Sequence, residues 1–182
     1  MKNRIPHILV RFSKRRQSAV YKILTFLVGF VIFMILLPIV FFRFGKFLNR
    51  WISIPSTREL ELILAAISAA IGLLILLWSV LTQFIVGQGG PVPVAPTKEL
   101  ITTGPYAYCR NPLQLGALFY YFAFGTFLGN LTIGLICIML EIILLLAYVK
   151  GIEEKELVLR FGQEYLEYKK NTPFLIPKIK KL

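Results

Sequence analysis

The sequence predicts an all-α integral membrane protein with about four transmembrane helices, and three observations support that fold class. Hydrophobic residues make up 57% of the 182 residues. Charged residues make up only 16%, whereas a soluble domain carries about 25%. The apolar residues also form long uncharged blocks, as helices that cross a bilayer require.

Four apolar segments follow one another along the chain. The first covers residues 23–42 and contains Pro38, which predicts a kink towards the end of the helix. The second covers residues 62–86 and is long enough to span a bilayer with some tilt. The third and fourth cover residues 113–128 and 131–149, with only two residues between them. So short a link predicts an antiparallel helical hairpin.

The basic residues predict how these helices are oriented. The chain has a net charge of +12, and its Lys and Arg residues cluster at the two ends. Seven precede residue 23 and eight follow residue 149, whereas segments 43–58 and 87–111 carry four and two. The positive-inside rule then places both termini and the 87–111 loop in the cytoplasm. Basic ends beside apolar spans suit membrane lipids as partners, and no groove-reading module indicates nucleic acid.

The chain divides into three parts on this pattern. Residues 1–22 form a basic cytoplasmic tail, and residues 23–86 hold the first two transmembrane helices. Residues 87–182 combine a loop, the helical hairpin and a C-terminal tail. Because the loop and the tail are expected on the same side of the membrane, they can meet.

The loop and the tail have different local signatures. The loop begins GQGGPVPVAPTKEL, whose glycines and prolines exclude a helix and favour an extended crossing over the membrane surface. The tail begins GIEEKELVLRFGQEYLEYKK, which predicts one amphipathic helix at the membrane interface. The apolar stripe of that helix is formed by Leu157, Phe161, Tyr165 and Tyr168.

The stretch GPYAYCRNPLQLG, residues 104–116, is polar and aromatic in a mostly apolar chain. Asn111 is a favoured N-cap and Pro112 a favoured first helical residue, so the pair predicts the start of the third helix. That interpretation leaves unexplained the residues that converge on the same helix start: Tyr106, Tyr108, Arg110 and Gln114. Free N–H groups beside an arginine predict an anion site. The aromatic rings can hold a flat or cationic ligand by stacking.

Three glutamates have both a structural and a functional interpretation. Glu153 and Glu154 open the tail helix, where the helix dipole favours acids. Alternatively, one of them faces the 104–116 loop and binds an amine or ribose hydroxyls. Glu141 lies near the middle of the fourth apolar segment, where a carboxylate is costly and usually faces a cavity or a partner. It either hydrogen-bonds another helix in its protonated form or belongs to a substrate site.

No metal site is expected from the sequence. The single histidine, His7, lies in the N-terminal tail, and the two cysteines, Cys109 and Cys137, lack metal-ligand spacing. The same observations argue against a disulfide framework and against a histidine general base.

Taken in order, these features resemble the integral-membrane methyltransferases that include isoprenylcysteine carboxyl methyltransferase and the phospholipid N-methyltransferases. The resemblance is carried by LITTGPYAYCRNPLQLG, the hairpin, EEKELVLRFGQEYLEYKK and PFLIP, and it covers roughly residues 87–177. It implies a catalytic region that binds S-adenosylmethionine between the loop and the tail helix. It also implies methyl transfer to a lipophilic or membrane-associated acceptor, in what resembles a bacterial subgroup with an inner-membrane location.

The resemblance also implies site residues by position. A cofactor pocket would be lined by Lys98, Glu99, Leu100, Ile101, Tyr106, Asn111, Pro112, Leu113 and Gln114. Glu153 would take the polar end of the cofactor. Two positions depart from the family pattern, because Asn111 stands where the family has His and Gln114 where it has Tyr. Val149 stands at the position of an arginine that meets the substrate, and Lys150 is next to it.

Methyl transfer from a sulfonium is an in-line displacement, so the main task of the protein is to position donor and nucleophile. A carboxylate or thiolate acceptor needs no general base, whereas an ammonium must first lose a proton. We therefore predict catalytic roles for Glu141 or Glu154 as a base and for Lys150 beside the acceptor. Two other functions stay open: a non-catalytic lipid-binding member of the family, and an NADPH-dependent membrane reductase of the isoprenoid or sterol type.

Overall fold

A computed structural model describes residues 4–13, 18–90, 92 and 94–178 of the chain. Every regular element in this part is helical, and it contains no strand. Three helices are long and apolar enough to cross a membrane: Val20–Leu48, Arg58–Ile85 and Leu131–Phe161. A further apolar helix is shorter. The predicted all-α fold is therefore confirmed for the described residues, and the three long apolar helices are consistent with an integral membrane protein.

The α-helices of the described residues, in chain order, are α1 (Arg4–Ser13), α2 (Ala19–Phe30), α3 (Leu37–Leu48), α4 (Arg58–Ile85), α5 (Pro112–Leu128), α6 (Leu131–Leu145), α7 (Glu154–Phe161) and α8 (Gln163–Asn171). Two π-helical segments, Val31–Leu36 and Leu146–Glu153, join α2 to α3 and α6 to α7. A short 3₁₀ turn covers Gly104–Ala107, just before α5.

Pro38 has a specific effect on the first span. Proline has no N–H group, so the helix carbonyls four and five residues earlier lose a donor. Those carbonyls belong to Met34 and Phe33, and two hydroxyls of α5 replace the missing donor. Tyr120 donates to the Met34 carbonyl at 2.8 Å, and Tyr121 donates to the Phe33 carbonyl. The helix segment just before Pro38 is thus π-helical, and two of its carbonyls bind α5.

Glycines allow α4, α5 and α6 to pack closely. A Cβ atom added to Gly72 would lie 2.9 Å from the Gly116 carbonyl oxygen, and one added to Gly116 would lie 2.9 Å from the Leu76 nitrogen. A Cβ atom added to Gly125 would lie 2.9 Å from the Gly134 Cα. Small residues permit such backbone contact between membrane helices. The close crossing brings the first turns of α5 against α4, and residues of both helices line one cavity there.

Two charged residues of α4 hold the turn of the α5–α6 hairpin. Arg58 donates to the Phe127 carbonyl at 2.7 Å, at the end of α5. Glu61 is buried and accepts from the Leu131 N–H at 2.9 Å, at the start of α6. Each charge therefore complements the dipole of the helix end that it contacts. The predicted hairpin is confirmed by the packing of α5 on α6, and it is fixed against α4.

The C-terminal part differs from the single tail helix that the sequence predicted. The helix that begins at Leu131 continues through the second π-helical segment into α7 and ends at Phe161. Gly162 then adopts a φ of +55°, which a residue with a side chain rarely adopts, and α8 follows. The apolar periodicity continues across Gly162, so the pattern alone did not reveal that the glycine separates two helices.

Candidate functional site

A cavity of about 480 Å³ lies between the first span, α4, α5 and the long helix formed by α6 and α7. Its polar lining lies where α4 ends and α5 begins, and it includes Gln83, Tyr106, Asn111, Gln114, Glu153 and Arg160. Its apolar lining comes from the middle of the spans, and it includes Phe33, Met34, Leu76, Leu77, Leu144 and Leu145. We call this space the main cavity. Its two linings suit ligands of unlike polarity.

Backbone hydrogen bonds join the loop before α5 to the tail after α8. The Arg110 N–H donates to the Pro173 carbonyl at 2.9 Å. The Lys178 N–H donates to the Tyr108 carbonyl at 2.9 Å. The loop and the tail therefore meet, and the tail supports the wall of the main cavity that the loop forms.

Asn111 lies at the start of α5, but its side chain does not cap that helix. Its Nδ2 group donates instead to the Phe174 carbonyl at 2.8 Å, and it forms no capping hydrogen bond with α5. Pro112 is the first helical residue, as predicted. The predicted side-chain cap was wrong because folding brings a carbonyl of the tail within reach of the amide.

The side chain of Arg110 is paired, so the anion site predicted beside α5 has no free arginine. Its Nη1 group donates to Glu154 Oε1 at 2.6 Å, and its Nε group donates to the Thr172 carbonyl at 3.1 Å. Lys169 donates to the other Glu154 oxygen at 2.7 Å. The side chains of Arg110 and Glu154 are only 10% and 12% exposed. This buried pair ties the loop to α7 and neutralises the positive charge that an anion would need.

Glu154 and Lys150, both predicted to be catalytic, lie outside the lining of the main cavity. Lys150 Nζ lies 5.2 Å from the centre of the Phe174 ring, in the tail. Glu154 and Lys150 line a second cavity of about 430 Å³ beside α1, together with His7 and Lys169. The fold thus groups these two residues with basic side chains and separates them from the polar lining of the main cavity.

Tyr106 is held from two sides. Gln83 Nε2 donates to the Tyr106 hydroxyl, and the Tyr168 hydroxyl donates to the Tyr106 carbonyl at 2.7 Å. Burial raises the pKa of both tyrosines, so each stays neutral at physiological pH. Gln83 was missed in the sequence, because a lone amide near the end of an apolar span forms no motif. Its Oε1 atom is buried and has no hydrogen-bond partner among the described residues.

Glu153 lines the main cavity with a free carboxylate, since it forms no hydrogen bond or ion pair with the residues that the structure describes. Arg160, seven residues further along the helix, already has hydrogen-bond partners. It donates to Glu156 Oε1 at 2.9 Å and to the Thr97 carbonyl of the loop. Arg160 therefore joins α7 to the loop, and its direct ion pair is with Glu156 rather than with Glu153.

Glu141 lies on α6 and is only 5% exposed. It lines the apolar part of the main cavity, near Tyr121 of α5. Its Oε2 atom is buried and has no hydrogen-bond partner within the described residues. The alternative of a hydrogen bond from Glu141 to another helix is therefore not found in that part of the chain. Its carboxyl group is available to a ligand in the cavity.

The other predicted cofactor residues are divided between the main cavity and its surroundings. Those that line the cavity are Tyr106, Asn111, Leu113, Gln114 and Glu153. Ile101 and Pro112 are buried but do not line it, and the loop residues Lys98 and Glu99 are exposed, with Leu100 half-buried. The Lys98 N–H donates to the Gly87 carbonyl at 2.7 Å. This hydrogen bond therefore joins the start of the loop to residue 98.

Comparisons with known proteins identify a family that the chain matches. The profile of the phospholipid methyltransferase family matches residues 60–164, which include the polar lining of the main cavity. The protein-S-isoprenylcysteine O-methyltransferases of Mus musculus and Rattus norvegicus are each 34% identical to the chain over 87 residues. That match covers 46% of this chain and 29% of each relative, less than a third of their length. No solved structure matches the chain.

Proposed function

The chain belongs to the phospholipid methyltransferase family, and on that basis we propose that it transfers a methyl group from S-adenosylmethionine to a lipophilic or membrane-associated acceptor. The observation that carries this proposal is the main cavity of about 480 Å³, which combines polar side chains of the two motifs with hydrocarbon from the spans. A polar, cationic methyl donor and a lipophilic acceptor need such surroundings side by side.

The residues present fit S-adenosylmethionine. This molecule carries hydroxyl and amino donors on its ribose, adenine and amino-acid parts, and a positive charge on sulfur. The polar lining of the main cavity offers two acceptors that no described residue satisfies, the Glu153 carboxyl group and the buried Oε1 of Gln83. A buried acceptor without a partner is costly until a ligand supplies a donor. Glu153 also supplies a negative charge for a cationic ligand.

In this proposal, Glu153 holds the polar end of the donor, and the remaining walls are formed by Tyr106, Asn111, Leu113 and Gln114. Tyr106 is fixed by Gln83 and Tyr168, and Asn111 is fixed by the tail. The wall is therefore ordered before the ligand arrives, which lowers the entropic cost of aligning donor and acceptor. Bound S-adenosylmethionine supplies a methyl group activated by the positively charged sulfur.

The loop and α1 each cover part of the main cavity. Arg160 of α7 donates to the Thr97 carbonyl of the loop, and Val92 of the loop lines the cavity. Leu9 of α1 lines it as well. Excluding water strengthens the electrostatic interactions inside the site. The apolar lining favours the hydrocarbon chain of an acceptor by about 0.8 kcal/mol for each buried CH₂ group.

We propose positioning roles for Glu154 and Lys150 rather than catalytic ones. Glu154 pairs with Arg110 and Lys169, so it holds the loop, α7 and α8 together. Lys150 lies over the Phe174 ring and supports the tail. Acid–base chemistry then falls to Glu141, whose carboxyl group faces the main cavity. The loop residues 98–101 shape the wall without contacting the donor.

We propose that the polar end of the main cavity faces the cytoplasm of a bacterial inner membrane. The basis is the distribution of Lys and Arg, seven before residue 23 and eight after residue 149, which favours both ends on the cytoplasmic side by the positive-inside rule. This orientation is tested by replacing the exposed residues Lys98 and Glu164 singly with cysteine and measuring from which side of the membrane a thiol reagent labels them. Labelling of either position only from the periplasmic side would contradict it.

The experiment that tests the proposed function is calorimetry on the purified protein in detergent, with S-adenosylmethionine and NADPH as separate titrants. We expect S-adenosylmethionine to bind and NADPH to give no heat of binding. Absence of donor binding at millimolar concentration would overturn the methyltransferase proposal. Binding of NADPH alone would favour the reductase, and binding of neither would favour the non-catalytic lipid-binding protein.

A further inference from the structure

The charged side chains of the main cavity are not balanced. Among the described residues, those that line it are Arg110, Glu141, Glu153, Glu156 and Arg160. Both arginines already have an acidic partner. Arg110 lies 2.6 Å from Glu154, and Arg160 lies 2.9 Å from Glu156. Within the part of the chain that is described, the cavity thus offers two unpaired carboxylates and no unpaired cation.

The two unpaired carboxylates have different surroundings. Glu153 belongs to the polar lining, where the proposed methyl donor binds. Glu141 belongs to the apolar lining, with Tyr121, Leu144 and Leu145. The Tyr121 hydroxyl donates to the Phe33 carbonyl and so does not serve Glu141. The Glu141 carboxyl group is therefore left for the second ligand, which is the methyl acceptor.

The same lining limits which acceptors can bind. Among the described residues, the space that a phosphate or carboxylate group near the reacting atom would enter is lined by hydrocarbon and two unpaired carboxyl groups, with no unpaired cation. Burying an anion without a partner is strongly unfavourable, and the ionised form of Glu141 would repel it. An alkylammonium group has the opposite charge and gains a charge-assisted hydrogen bond to Glu141.

Resting on the proposed methyltransferase function, we propose that the acceptor is a lipophilic amine with no phosphate or carboxylate group near its nitrogen. Glu141 binds the ammonium form of this amine. The hydrocarbon chain lies against the apolar lining, which includes Phe33, Leu76 and Leu144.

The transfer step balances with Glu141 as the general base. The ammonium group gives one proton to the Glu141 carboxylate, which frees the lone pair of the nitrogen. That lone pair forms the new nitrogen–carbon bond, while the carbon–sulfur bond of the donor breaks and its electron pair stays on sulfur. The products are an N-methylammonium, a neutral thioether and one proton, which Glu141 releases before the next turnover.

The test offers three acceptors to the full-length protein in detergent micelles with methyl-labelled S-adenosylmethionine. They are hexadecylamine, phosphatidylethanolamine and S-farnesylcysteine with a free carboxylate. We expect hexadecylamine to be methylated at least about tenfold faster than the other two, because like charges in an apolar site are strongly disfavoured. Faster methylation of either anionic acceptor would overturn the inference. So would absence of product from hexadecylamine while the donor binds.

Glu141→Gln tests the base itself, because it keeps the size of the side chain and removes its charge. We expect amine methylation to fall about 10²- to 10⁴-fold, with unchanged affinity for S-adenosylmethionine in calorimetry. Glu141→Asp should recover part of the rate, and Glu164→Gln, exposed on α8, should match the parent protein. A Glu141→Gln variant as fast as the parent would overturn the assignment.

The two proposals fail in different ways. If the parent protein does not bind S-adenosylmethionine, the methyltransferase function itself is wrong. If it binds the donor and methylates an anionic acceptor faster than the amine, only the acceptor class is wrong.

Discussion

Glu153 and Glu154 are neighbours in the chain but have different partners. Glu154 lies 2.6 Å from Arg110 and 2.7 Å from Lys169. Glu153 has no such partner among the described residues and lines the main cavity. Consecutive residues of a helix point about 100° apart, so one of the pair faces the cavity and the other faces α8. Only Glu153 is therefore available to a ligand in that cavity.

Glu153→Ala is expected to weaken S-adenosylmethionine binding about 10- to 100-fold, because a hydrogen bond to a charged group contributes about 1.5–3 kcal/mol. Calorimetry in detergent measures the change. Glu164→Ala, exposed on α8, is the control and should bind like the parent protein. Unchanged affinity in Glu153→Ala would mean that the donor does not use the polar lining of the main cavity.

Gln114 departs from the family pattern, yet it lines the main cavity. At this position the wall of the main cavity therefore carries an amide, where the resemblance implied an aromatic ring. Gln114 was found from its place in a motif, whereas Gln83 belongs to no motif and was found only in the folded chain. Side chains outside a motif become visible as site residues when another element brings them to the same cavity.

At the scale of elements, Arg58 and Glu61 hold the hairpin that carries α5 and α6. Glu61→Ala removes the acceptor of the Leu131 N–H, and we expect it to lower the free energy of unfolding by about 1–2 kcal/mol, as the loss of an N-cap does. Thermal unfolding in detergent, followed by circular dichroism, measures this. Glu59→Ala is a matched control in the same turn, because Glu59 is exposed. Equal losses in both variants would assign the effect to α4 rather than to the hairpin.

The crossing of α4 and α5 depends on Gly116. A Cβ atom there would lie 2.9 Å from the backbone nitrogen of Leu76, which has little room to move. We expect Gly116→Ala to destabilise the protein by about 1–3 kcal/mol, as overpacking does. Gly151→Ala is the control: no atom lies within 4 Å of its added Cβ, so its melting temperature should stay equal or rise. A neutral Gly116→Ala would show that the helices can separate without cost.

At the scale of the whole molecule, the Arg110–Glu154 pair joins the loop before α5 to the long helix. Removing either partner leaves a largely buried charge, and we expect Arg110→Ala and Glu154→Ala each to cost about 3 kcal/mol of stability. The double variant should lose less than the sum of the two. Thermal unfolding of all four proteins closes a double-mutant cycle. Additive losses would show that the two residues act independently.

Most elements could be predicted because their signals are local. Apolar blocks, the Asn-Pro pair and the short link before α6 act within a few residues, and α4, α5 and α6 begin close to where the sequence placed them. The differences arise where a distant partner intervenes. The segment before Pro38 is π-helical, and its carbonyls accept hydrogen bonds from Tyr120 and Tyr121. The Asn111 side chain donates to the Phe174 carbonyl instead of capping α5.

The sequence by itself determined the membrane class, the hairpin and the two motifs that mark the family, because block lengths and motif order are properties of the linear chain. Only the tertiary structure decided which charges are neutralised. Arg110 and Glu154 are 44 residues apart in sequence, yet they form a buried ion pair, whereas Glu141 and Glu153 stay unpaired among the described residues. Ion pairing depends on distance and burial in space, and no pattern along the chain specifies either.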